Sequence, residues 1–422
     1  MVSRWSPTTQ RPAPALSNAL AQAIALPSSA TLGGAVSVNS TRLAVAVRAC
    51  VTAFCYSADA TLAPHHVELP EVASLWTEAQ RARYAAVVFS YADTLWKAAI
   101  SPHSAVPLGH DGYLKLWAMG QPTFPADLVM LDEAQDSNPV LLDALQRSGV
   151  PVIYVGDPHQ QIYSFRRAIN AMASVSDERS FRLSRSFRFG AAIAALANRL
   201  LALLGERHPL VGAGGDGEVK VEGYPEAIDG PHAVLCRTNA SLIVELFDAD
   251  RQQRPVHIIG GTAELLRLID DAAMLQAGVG PVSGPFFGFN QWSEVVEFVE
   301  EHGGELRPFV RIIEAHGIPM IRDALHRVKP TESDATCVLA TGHKSKGREW
   351  DVVRLAEDFR LLRAPADHEP QPADDEEVRL LYVAATRARR KLLLPATLLR
   401  DLETREGMAL NDGDPLHQGA AC

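Results

Sequence analysis

The sequence predicts an α/β protein built from parallel-sheet layers with helical insertions. Three observations predict it. Short apolar runs at 128–131, 152–155, 233–236, 256–259 and 336–340 have the length and aliphatic composition of buried strands. Between them, stretches such as 138–147, 191–204 and 376–389 carry apolar residues at helical spacing. The runs at 128–131 and 152–155 each end in a polar cluster, as strands do when they share a site at one edge of a sheet.

Length and composition bound the rest. A chain of 422 residues exceeds one ordinary core, so two or three domains are expected. No run approaches the roughly 20 apolar residues of a membrane span, and residues 1–25 lack the continuous apolar core of a signal peptide. The five cysteines (Cys50, Cys55, Cys236, Cys337, Cys422) form no Cys-x-x-Cys pair. The expectation is a reduced, cytoplasmic protein without a structural zinc. A net charge of −10 argues against a chain coated in nucleic acid. Its arginines and lysines are nevertheless clustered: Arg182, Arg185 and Arg188; Lys344, Lys346 and Arg348; Arg387, Arg389, Arg390 and Lys391. Clustering of that kind lets an acidic protein hold a polyanion locally.

Taken in order, residues 1–40 read as weakly structured, with one helix near 15–25. The glycine-rich stretch 33–41 looks like a phosphate loop but has no lysine and reads as a turn. Helices are expected over 42–54 and 76–100, and a short apolar element over 114–119. After the α/β stretch 126–190, strands are expected at 218–222, 233–236 and 256–259. Helices at 265–275, 292–300 and 305–316 form a small insertion. Strands at 336–340 and 351–355, a helix at 376–389 and a strand near 392–394 complete the second layer. From Asp401 onward the chain reads as a polar, disordered tail.

The chemistry concentrates after the first apolar run, at Asp132-Glu133-Ala134-Gln135-Asp136. One carboxylate of such a pair can hold a hard cation while its neighbour positions or deprotonates a water. Nucleotide hydrolysis with magnesium needs that division of labour. Read alone, the pair is an acidic loop that caps the next helix, with Asp136 as the cap. The second run leads to Gly156-Asp157-Pro158-His159-Gln160-Gln161-Ile162-Tyr163-Ser164-Phe165-Arg166, where two rings and a guanidinium suit stacking on unpaired bases.

In this order, five motifs resemble those of superfamily 1 DNA helicases of the UvrD/Rep type, in particular the F-box-helicase-like branch. Asp132 to Asp136 is similar to the Walker B motif, and Gly156 to Arg166 to motif III. Leu183-x-x-Ser186-Phe187-Arg188 is similar to motif IV. Thr341-x-His343-Lys344-Ser345-Lys346-Gly347-x-Glu349-Trp350-Asp351 is similar to motif V, and Leu381-Tyr382-Val383-Ala384-x-Thr386-Arg387-Ala388 to motif VI. The resemblance covers residues 41–395. It implies two RecA-like parallel-sheet lobes, the first incomplete, acting as an ATP-driven 3′-to-5′ motor on single-stranded DNA in repair or recombination. The implied lobes are 125–182 and 183–260 with 336–398. Residues 41–124 and 261–335 would be helical insertions, 1–40 a poorly structured N-terminal segment and 399–422 a tail.

The resemblance also implies roles. Asp132 would hold Mg2+, and Glu133 would be the general base. Gln160 would sense the γ-phosphate, with Arg188 and Arg387 stabilising transferred charge. Glu349 and Gly347 would line the ATP site. Tyr163, Phe165, Arg166, His343 and Lys344 would follow the DNA strand. A monomer is the default, with no membrane partner. Gln161, Arg167, Ser186-Phe187 and Arg348 depart from the residues common in the family. The larger departure is that no Gly-Lys dipeptide occurs in the 422 residues, whereas a phosphate loop needs Gly-x-x-x-x-Gly-Lys-Ser/Thr. The expectation is a helicase without its first βαβ unit, or one whose start codon lies further upstream, with an inactive DNA-binding remnant as the alternative.

Overall fold

The structure, a computed structural model, describes residues 24–34, 36–70, 73, 76–101, 106, 108–163, 169–174, 180–222, 228, 230–279, 286, 289, 291–302, 306–363 and 371–411. The chain forms two compact units. One comprises residues 1–156, 166–171 and 271–297; the other comprises 157–165, 172–270 and 298–422.

In the first unit an antiparallel hairpin, β1 (Ser29–Gly33) and β2 (Val36–Asn39), runs directly into α1 (Ser40–Tyr56). The stretch at 33–41 is thus a turn, as expected, followed by β2 and the start of α1, whereas residues 29–39, expected to be weakly structured, pair as a hairpin. Gly33 and Gly34 turn the chain at φ of +116° and +61°, which only glycine adopts freely. α2 (Glu78–Ala99) starts at a reciprocal cap between Thr77 and Gln80. Gln80 also donates to the Gly33 carbonyl at 3.0 Å, tying this helix to the hairpin. Leu32, Val38, Leu43, Val47, Val88 and Ala92 form the shared core. α3 (His110–Met119) follows.

The acidic strand β3 (Val129–Leu131) pairs in parallel with β4 (Val152–Tyr154). The intervening α4 (Pro139–Ser148) is capped by Asn138, which accepts from Val140 N–H at 2.9 Å; Asp136 is not its cap. A strand covered on both faces is expected for 128–131, but Met130 is 67% exposed, as is Ile153 beside it to a lesser degree. Among the described residues β3 has one partner strand, and the Met130–Ile153 face stays open.

The second unit contains the main sheet. β5 (Arg185–Ser186) and β6 (Val211–Gly212) form a short parallel pair around α5 (Ala191–Leu203). Then come β7 (Glu218–Glu222), β8 (His232–Cys236), α6 (Asn239–Arg251), β9 (Val256–Ile258) and α7 (Ala263–Gln276); residues 271–276 of α7 and 292–297 of the helix that follows it belong to the first unit. After α8 (Trp292–His302) and α9 (Leu306–His316) comes a further helix, α10 (Ile318–His326), absent from the elements expected above although Ile318, Ile321 and Leu325 recur at helical spacing. Gly317, at φ +74°, ends one helix, and Pro319 suits the first turn of the next. β10 (Cys337–Thr341), the one-turn α11 (Gly342–Ser345), β11 (Trp350–Leu355) and the two-residue strands β12 (Leu362–Arg363) and β13 (Gln371–Pro372) follow. α12 (Asp375–Ala385), β14 (Ala388–Pro395) and α13 (Ala396–Asn411) complete the described chain.

Six strands align in parallel in the order β7-β14-β11-β8-β10-β9. β8 and β10 are buried along their whole lengths, as apolar strands between helical layers are. The α/β class read from the sequence is the observed one. Two boundaries differ. The helix expected to run to residue 389 ends at Ala385; Thr386 caps it, its hydroxyl bonded back to the Tyr382 and Val383 carbonyls, and the chain enters β14 at Ala388. The tail expected to be disordered from Asp401 is instead helical to Asn411. Leu398 and Leu402 are buried, and Asp401 accepts from Arg360 and from Leu361 N–H.

Candidate functional site

The first unit supplies the acidic pair. β3 ends at Leu131, so Asp132 and Glu133 stand exposed at the strand's carboxyl end. Glu133 has φ 53° and ψ 39°, a left-handed conformation that costs a non-glycine residue about 1–2 kcal/mol. Its own amide donates to Asp132 Oδ1 at 2.9 Å, and Gln135 Nε2 donates to Glu133 Oε2 at 2.5 Å. The next amide, Ala134 N–H, donates to the Val155 carbonyl at the end of β4. The kink is thus fixed by the sheet and turns two adjacent carboxylates outward. Oxygen donors of this kind suit a hard divalent cation such as magnesium.

The second unit assembles a separate cluster at the amino ends of β11 and β14. Glu349 immediately precedes β11 and Arg387 immediately precedes β14; these strands start side by side, with Trp350 opposite Ala388. Arg188, which follows β5, donates to Glu349 Oε2 at 2.9 Å and to the Thr386 carbonyl at 3.4 Å. Arg389 pairs with both Glu349 and Asp351. The hydrogen bond from Arg188 holds the Glu349 carboxyl below the usual carboxylate range. Arg387 is only 2% exposed; it donates to the Val383 carbonyl and Thr386 Oγ1, and to the Arg348 carbonyl at 3.4 Å. Gly347 adopts φ +78° in the turn between β10 and β11. Phe187, beside Arg188, is 76% exposed.

Motif III residues 157–163 pack within this second unit. Ile162 lies in its core with Phe189, Ile193 and Tyr382. Asp157 is the hub. It accepts from Gln160 Nε2 at 2.9 Å, from Tyr382 Oη at 3.0 Å and from His159 N–H at 2.9 Å. Burial, reinforced by the Asp157 charge, raises the Tyr382 phenol far above its ordinary value, so it remains a donor. Lys346 donates to the Gln160 carbonyl at 3.1 Å. Tyr163 donates to the His343 carbonyl at 3.1 Å, and Lys346 lies 5.7 Å from the Tyr163 ring centre. Lys344 pairs with Glu264 at 2.7 Å. Tyr163 and His343, 180 residues apart in sequence, are therefore brought together. Phe165 and Arg166 lie outside the described residues. Asp157, Tyr382 and Lys346 belong to recognised motifs, yet nothing in the sequence marks them for a role. Only the hydrogen-bond network reveals them as the residues that hold Gln160.

The UvrD/REP helicase N-terminal domain matches residues 77–179, and the UvrD-like helicase C-terminal domain matches residues 336–394. The chain belongs to the UvrD-like helicase family. The matches contain the acidic pair, motif III, Glu349 and Arg387; Arg188 lies between them. F-box DNA helicase 1 of Gallus gallus is 31% identical over 320 residues, 68% of this chain and 31% of that protein. F-box DNA helicase protein 1 of Schizosaccharomyces pombe is 30% identical over 350 residues, 74% of this chain and 39% of that protein. The chain thus spans between three and four tenths of the length of these relatives. Among the described residues no helix is long and apolar enough to cross a membrane.

Proposed function

We propose that this chain carries motor elements of an ATP-dependent DNA helicase that moves 3′ to 5′ on single-stranded DNA in repair or recombination. The observation that carries the reading is the contact between Arg188 and Glu349. Two motifs 161 residues apart meet at 2.9 Å beside Arg387. The partly accessible Arg188 guanidinium suits the charge that develops on a transferred phosphoryl group, whereas Arg387 is buried and braces the backbone beside it. The outward Asp132–Glu133 pair fits a magnesium ion and a general base. Magnesium there would polarise the nucleotide's phosphates, while Glu133 would take the proton of the attacking water. The solvent-held ring of Phe187 beside Arg188 suits stacking on a flat base. Tyr163, His343 and Lys346 offer a ring, an imidazole and an ammonium to a nucleic-acid strand.

A second reading, a DNA-binding chain without turnover, is favoured by the lack of any Gly-Lys dipeptide in the 422 residues. The test is ATP hydrolysis by the whole chain with and without single-stranded DNA, beside Glu133→Gln. The motor reading expects DNA-stimulated turnover that falls at least about a hundredfold in Glu133→Gln, with DNA binding retained. Salt-sensitive DNA binding without turnover supports the second reading. Turnover that Glu133→Gln leaves unchanged overturns the role of Glu133 as general base.

A further inference from the structure

We infer that Asp59, His65 and His66 form a divalent transition-metal site, separate from both clusters above. These residues lie in the connection between α1 and α2, in the first unit. Asp59 Oδ2 is 2.6 Å from His65 Nε2 and 2.9 Å from His66 Nε2, and all three donor atoms lie within 4.8 Å of one another. Two neutral imidazoles and a carboxylate are a donor set for zinc, cobalt, nickel or copper rather than for magnesium or calcium. Cysteine spacing gives no hint of such a site, because no cysteine takes part.

The surroundings are built to aim these ligands. His66 is buried, and its ring packs edge-on against Phe54 at 5.4 Å, which in turn packs against Trp96. Its Nδ1 lies 2.9 Å from the Ala63 carbonyl and 3.0 Å from the Ala63 amide. The Ala63 peptide groups can therefore hold the ring in either tautomer. When Nε2 binds a cation, Nδ1–H donates to the carbonyl, which is the usual outer support of a metal-bound histidine. Ser57 Oγ, 3.1 Å from His66 Nε2, lies 2.9 Å from the Phe54 carbonyl and donates to it, so a lone pair faces the imidazole. Lys115, itself buried, donates to the Ser57 and Asp59 carbonyls at 2.6 Å each and fixes the loop from its backbone side.

The two imidazoles stand 4.1 Å apart, centre to centre, over one carboxylate oxygen. Two imidazolium rings at that distance would repel each other. One cation can replace both Nε2 protons and satisfy all three ligands at once. Zinc bonds of about 2.0–2.1 Å place tetrahedral donors roughly 3.3 Å apart, so the Asp59 oxygen need move about 0.4 Å from His66 and about 0.7 Å from His65. Asp59 and His65 are exposed, with side chains 44% and 66% accessible, which leaves room for that movement and for a water as fourth ligand. The bound ion would clamp the 57–66 loop to the α1–α2 core.

The experiment titrates Zn2+ and Co2+ into the untagged, metal-stripped whole chain. One equivalent should bind. Co2+ should show the visible absorption of a low-coordinate site, and Zn2+ should raise Tm. His65→Ala and Asp59→Asn should each weaken binding by at least about tenfold. His208→Ala, remote from the site in sequence and bonded to Glu206, should bind as the parent does. No binding by the parent chain, or binding that survives both His65→Ala and Asp59→Asn, overturns the assignment. Because His65 is exposed, its replacement tests the site without disturbing the core.

Discussion

Glu206 gathers several donors onto one carboxylate. His159, Arg182 and the ring of His208 reach it at 2.9–3.1 Å, and the amides of Arg207 and His208 at 2.8 Å. Burial alone would push this group up. The His208 backbone and ring, His159 and the Arg182 charge outweigh that effect and bring it down to about 2. A carboxyl held below its unfolded value stabilises the fold above that value, and the contribution is lost as pH falls through the folded value. Stability measured by urea denaturation should therefore drop between the usual carboxylate range and about pH 2. Glu206→Gln should remove part of that slope, at most on the order of 3 kcal/mol. A parallel pH dependence in the two proteins would show that Glu206 does not carry the effect. The contact is structural: it ties motif III, through His159, to the turn after α5.

At the scale of elements, close backbone approach decides more than propensity. Gly190 caps α5, and a Cβ there would lie 2.0 Å from the Gly215 carbonyl and 3.0 Å from the Gly217 amide. Both neighbours are main chain and cannot rotate away. Gly190→Ala should cost about 1–3 kcal/mol, read as a lower urea midpoint with an unchanged slope. A midpoint equal to the parent's would mean that the 212–217 loop can shift freely. The same loop shows why motif IV is legible as a motif but not as a shape. The glycine-rich loop 212–217 lies against residues 188–190, where a Cβ on Gly212 or Gly214 would come within 2.3–2.4 Å of their main chain. The tail helix α13 escapes sequence reading for a related reason. Its polar and charged residues mask a narrow apolar stripe, and only the buried Leu398, Leu402 and Asp401 reveal its inner face.

At the scale of the whole molecule, each unit has its own core. In the first, Leu43, Val47, Val88 and Leu95 pack around α1 and α2; in the second, Leu235, Ala340, Val353 and Leu392 pack within the sheet. Chains with separate cores do not generally unfold in one step. Scanning calorimetry should give a calorimetric enthalpy larger than the van't Hoff value, with the two transitions moved independently by substitutions in either core. Equal enthalpies would indicate one cooperative fold.

The order of amino acids is enough to settle the class of the fold, most of the strands and helices along the chain, and the family. Apolar periodicity and short motifs are local properties, and local properties survive in one dimension. They place Asp132 and Glu133 at a strand end, and the family resemblance they carry groups Gln160, Arg188, Glu349 and Arg387 with that pair. Which of these residues meet is a matter of the folded chain. Folding joins Arg188 to Glu349 across 161 residues, makes Asp157 the hub that holds Gln160 to Tyr382, and buries Arg387 among carbonyl oxygens. It also brings the ring of His66 and the carboxylate of Asp59 together at a loop that no motif marks. Such contacts depend on the register of distant strands and the closure of loops, and neither leaves a periodic trace in the chain.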